Sequence, residues 1–67
     1  MSIVKVIEVI ASSKVGWDDA ARQAVKEASK TVKNIKHFYA ENMTAVVEGD
    51  DIVEYRINGK ISFVVED

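Results

Sequence analysis

"KHFYAENMTAVVEGDDIVEYRINGKISFVVE", Lys36 to Glu66, is the stretch on which the fold turns. Apolar and polar residues alternate along it with a period of two, the mark of extended strands, and "EGDD", Glu48 to Asp51, interrupts the alternation with the residues that turns need. The stretch is predicted as a long antiparallel hairpin with Gly49 and Asp50 in the turn. Its second strand puts Val53, Tyr55, Ile57, Ile61, Phe63 and Val65 on one face and Glu54, Arg56, Asn58, Lys60, Ser62 and Val64 on the other. With Glu48 paired to Asp51, Met43 falls opposite Arg56, Glu41 opposite Asn58 and His37 opposite Ser62. His37, Tyr39, Glu41, Met43, Arg56, Asn58 and Lys60 then share one face, an assignment that a single bulge would alter.

Upstream, "SIVKVIEVIA", Ser2 to Ala11, is rich in β-branched residues and reads as a strand, largely apolar on both faces. Between it and the hairpin the period changes. Trp17, Ala20, Ala21, Ala24, Val25, Ala28, Val32 and Ile35 recur at three- and four-residue steps, the stripe of an amphipathic helix. Arg22, Lys26, Lys30 and Lys33 fall on its other side. Asp18 and Asp19 are placed in the first turn and Lys30 and Lys33 in the last, which suits the helix dipole. Ser12 or Ser13 is a candidate cap for a helix or turn here. The expected class is α+β, in the order β-α-β-β: a three-stranded antiparallel sheet with one helix on one face and nothing on the other.

Sixty-seven residues make one domain, 1–67. A chain of this size buries only about 60% of the surface it exposes unfolded. Short domains are commonly supported by disulfides, a structural metal or self-association, and the chain has no cysteine and one histidine. Self-association is therefore expected, and an apolar content of 48% agrees. Nine Lys and Arg against eleven Asp and Glu leave a net charge of −2 with the cations scattered, which argues against a nucleic-acid partner. No apolar run approaches the roughly 20 residues that span a bilayer, and no apolar signal core follows the first Met, so no membrane association is expected and the location is read as cytoplasmic.

In this order the segments resemble the dodecins. "VKVIEVIASSKVGWDDAARQAV" is similar to the family's opening, with Ser13 and Trp17 in matching places, and "TVKNI" to the end of its helix region. "EYRINGKISF", Glu54 to Phe63, is similar to the family pattern E-Y-[QR]-x-x-x-x-[VI]-x-F. The likeness runs from Val4 to Val65. It implies a hollow homododecamer whose pockets, between subunits, hold a small ligand for storage; in the best-known members that ligand is a flavin.

Flavin-binding dodecins stack a tryptophan on the isoalloxazine and reach its polar edge with a glutamine. Those positions correspond here to His37 and Arg56. Imidazole offers less π surface than indole, and stacking on a large aromatic is worth about 1 to 3 kcal/mol, so weakened binding of FMN, riboflavin or FAD is expected. Arg56 has no acceptor and a fixed charge, and suits a phosphate or carboxylate better than a neutral ring edge. The resemblance also extends to calcium-associated dodecins, which implies an alternative: a structural or calcium-binding assembly without an organic ligand. Glu48, Asp50 and Asp51 are its candidate calcium ligands, set against a plain solvated turn, and Glu41 is read as a partner for Lys60. His37 has no nucleophile beside it in sequence, and no enzyme is expected.

Overall fold

The computed structural model describes residues 3–65. Strand β1 (Ile3–Ser13), helix α1 (Trp17–Ala28), strand β2 (Ile35–Glu48) and strand β3 (Asp51–Val65) follow in the expected β-α-β-β order. Ser2 and Glu66, at the ends of the predicted strands, lie outside the described residues. The sheet is antiparallel throughout, and its order is β1-β3-β2, so the last strand is central and the other two are edges.

Helix α1 lies across one face. Its buried residues are the small Ala20 and Ala24, which bring the helix axis close to Ile57 and Ile61 of β3, the other buried apolar residues among those described. Trp17 pins the helix's first turn to the hairpin. Its Nε1 donates to the Thr44 carbonyl at 2.9 Å, and its ring meets Tyr55 edge-on, with centroids 4.9 Å apart. Ser13 closes the turn before the helix: its hydroxyl oxygen accepts from the Val15 amide at 2.9 Å and its hydroxyl donates to Asp19 at 2.6 Å. That bond, then one from the Gln23 amide, holds the Asp19 carboxyl below its ordinary value of 3.8.

The helix is shorter than its apolar stripe. It ends at Ala28, so Lys30, Val32, Lys33 and Ile35 lie beyond it, and Lys26 is the basic residue of its last turn. Hydroxyl residues account for the stop: Ser29 and Thr31 donate to the Lys26 and Ala28 carbonyls, and the Lys30 and Thr31 amides make tighter bonds to Glu27 and Ala28. Asn34 then takes a positive φ of 63°, reversing the chain into β2. Ile35 belongs to that strand.

The hairpin turn is as expected, with Glu48 opposite Asp51 and a positive φ at Gly49. The register above it is not a simple ladder. Val53 is an extra residue on β3 and Glu41 an extra residue on β2, so the pairing slips by one and then slips back. His37 therefore still faces Ser62. Between the bulges the expectation fails: Met43 pairs with Ile57, Thr44 takes the place opposite Arg56, and Asn42 faces Asn58. Met43 is turned to the helix side, where it lines an apolar groove with Trp17, Phe38 and Tyr55.

Gly59 sits opposite Ala40, beside the Glu41 bulge. A Cβ there would collide with the Tyr39 carbonyl oxygen and stand 3.2 Å from Cζ of Phe38. The bulge folds the β2 backbone over the glycine, so this strand position accepts no side chain. Gly59→Ala is expected to be severely destabilising, by roughly 3 kcal/mol or more. Thermal unfolding of the soluble variant checks this; an unchanged midpoint would show that the two strands do not approach so closely.

Candidate functional site

Among the described residues, no element covers the face away from the helix. Alternation along β1 puts Val4, Val6, Glu8, Ile10 and Ser12 there, and Val4, Val6 and Ile10 are 64%, 52% and 80% exposed. Along β3 the same face carries Glu54, Arg56, Asn58, Lys60 and Ser62, and along β2 it carries His37, Tyr39, Asn42 and Thr44. One half of the face is apolar and the other polar and aromatic.

His37 stands at the end of β2 nearer the helix–strand turn. Its Nδ1 lies 3.4 Å from the hydroxyl oxygen of Ser62, which is buried beneath it although the alternation placed it on the open face. The imidazole is tilted 31° to the exposed ring of Tyr39, with centroids 6.0 Å apart. These two rings form a small aromatic surface on an edge strand. No Trp adds to it: Trp17 is on the opposite face, bonded to Thr44.

Arg56 lies at the other end of the same face. Ser62, the partner of His37, is six positions further along β3, and at about 3.3 Å per position the backbones of the two candidate residues are roughly 20 Å apart. A single subunit does not bring them together. Arg56 Nε donates to Glu54 Oε1 at 2.8 Å. Glu54 was not among the candidates in the sequence, although two residues of opposite charge two apart on one strand face are the available signal. Between Arg56 and His37 lie a hydrogen bond from Asn58 Nδ2 to Asn42 Oδ1 of 3.2 Å and a Lys60–Glu41 pair at 3.8 Å. Glu41 thus reaches Lys60 even from its bulge.

Glu48, Asp50 and Asp51 are exposed at the hairpin tip, with Glu48 and Asp51 facing each other across the turn. Among the described residues no three His, Cys, Asp or Glu are grouped so as to hold a metal ion. Calcium takes six to eight oxygens, so a site at the tip needs donors from elsewhere. No helix among the described residues is long and apolar enough to cross a membrane.

Comparison with known proteins follows the geometry closely. The calcium dodecin of Mycobacterium tuberculosis is 33% identical over 63 residues, which cover 94% of this chain and 89% of that protein. The crystal structure of that calcium-chelating antigen superposes with a TM-score of 0.81 at 31% identity, over 91% of this chain and 87% of the other. The dodecin of Streptomyces coelicolor superposes with a TM-score of 0.92 at 27% identity, over 98% and 94%. The model of the Dodecin family matches residues 3–66, which include all four described elements. Fold and sequence thus agree, and the chain belongs to the dodecin family.

Proposed function

We propose that the chain assembles as a dodecin-type homododecamer in the cytoplasm and stores a small ligand in pockets between subunits, with flavin bound more weakly than by relatives that carry the stacking tryptophan. The observation that carries this reading is the separation of His37 and Arg56. Both lie on the uncovered face, yet roughly 20 Å apart, so a pocket that uses both is completed by a second copy. Surface area supports the same reading: the lone chain exposes 5078 Å², against roughly 4,200 Å² for a self-contained protein of its mass. The excess includes the apolar Val4, Val6 and Ile10, whose burial between copies stabilises the assembly. The His37–Tyr39 surface is a poor platform for a three-ring system. No reaction is assigned to the site.

Light scattering under native conditions is expected to give twelve times the 7.4 kDa of one chain, and a monomer mass would defeat the proposal. In the same sample, quenching of riboflavin fluorescence should be weak, and His37→Trp should tighten it at least tenfold, the effect of about 1.4 kcal/mol of added stacking. Unchanged quenching in that variant would remove His37 from the pocket.

A second reading, an ion-binding assembly, has its own support in the calcium dodecin relative at 33% identity. Here Glu48, Asp50 and Asp51 from neighbouring hairpins supply the oxygens. Calcium at a hundredfold excess over its Kd should then raise the unfolding midpoint by on the order of 10 °C, reversibly with chelator. Replacing Asp50 and Asp51 with Asn should abolish the shift, and its persistence in that variant would place the ion elsewhere.

A further inference from the structure

We infer that Arg56, anchored by Glu54 and flanked by the hydroxyls of Ser12 and Thr44, is an oxyanion-binding group, and that the ligand this family member takes between subunits carries a phosphate-like anionic group. The inference rests on the ligand-storage reading above and gives that ligand a chemical class.

Arg56 is held in place. Its Nε edge is occupied by Glu54 at 2.8 Å, which fixes the guanidinium plane, while its terminal nitrogens keep four N–H donors and the side chain is 54% exposed. A fixed planar fork loses little freedom on meeting an oxyanion. Register then supplies the rest of the site. Ser12 of β1 and Thr44 of β2 are the direct cross-strand partners of Arg56, so one rung of the sheet reads hydroxyl, guanidinium, hydroxyl. Both outer residues are exposed, and each hydroxyl can donate to an oxyanion.

Lys60, the other cation of this face, shows the contrast. Glu8 faces it across β1 and Glu41 approaches it at 3.8 Å from β2, so acids on both neighbouring strands answer its charge. On the Arg56 rung neither neighbour is an acid. Arg56 and Glu54 line a shallow concavity of about 490 Å³ with Val46 and Val53, and its rim also carries Lys14 and Glu48. Two acids there are matched by two cations, so donor geometry, and not net charge, selects the anion. A guanidinium has no acceptor to offer a neutral ring edge, which points the site toward a group made of acceptors alone.

FMN and riboflavin share one ring system and differ by a phosphate, which makes them the probe. Isothermal titration of the native assembly should show FMN bound at least tenfold more tightly than riboflavin, with the ratio falling toward one in Arg56→Gln at unchanged native mass. Equal affinities in the wild type would overturn the inference. If neither flavin binds, flavin storage is what has failed, and inorganic pyrophosphate titrated into the same sample decides the anion site: binding lost in Arg56→Gln upholds it, and no binding overturns it. Arg56→Lys, which keeps the charge but not the fork, guards against a variant that fails to assemble. It should lower the FMN preference, or the pyrophosphate affinity where flavins do not bind, several-fold; an unchanged value would overturn the role of the planar guanidinium.

Discussion

Helix α1 rests on the sheet through Ala20 and Ala24 against Ile57 and Ile61, and the rest of the subunit depends on that contact having only one side. A helix with small buried residues comes close to the strands and covers a narrow strip. The strip runs over β1 and β3 more than over β2. The outer part of the hairpin and the β1 half of the opposite face keep exposed valines and isoleucines, which no further element among the described residues covers. That shortage is what the partner copy of the proposed assembly would make good.

The two compensating bulges explain how the open face keeps its chemistry. An extra residue at Val53 shifts the ladder, and an extra residue at Glu41 shifts it back. His37 is returned to its partner Ser62, while Thr44 is brought beside Arg56 and Met43 is turned toward the helix. A hairpin without bulges would set a thioether next to the guanidinium. The bulged one sets a hydroxyl there and leaves the methionine to an apolar groove, a better match of polarity on both faces.

The polar half of the face is organised by strand rather than by proximity in sequence. Lys60 is answered by acids from both edge strands, whereas Arg56 is answered from within its own strand by Glu54. This difference leaves one cation with donors to spare. His37 and Tyr39 form a separate aromatic surface at the far end. The proposed pocket, which uses both ends, therefore needs a second copy to bring them side by side.

Much of the architecture could be read from the chain directly. Period-two alternation from Lys36 onward, the period change around Trp17 and the β-branched run before it specify strand, helix, strand and strand, because each element displays its own geometry in its spacing of apolar residues. The Glu48–Asp51 turn and the His37–Ser62 pairing were legible for the same reason. Tertiary structure decided what local pattern does not encode. The end of the helix at Ala28 was set by hydroxyls that bond back to its carbonyls, and the apolar stripe continued past it. Strand order and the bulges depend on contacts between residues distant in the chain. A lone glycine within a strand, Gly59, was the one sequence signal of such a bulge, since only the folded pair reveals which backbone presses on it. The distance between His37 and Arg56 belongs to the same class: the sequence names both residues, and only the sheet says that one subunit holds them apart.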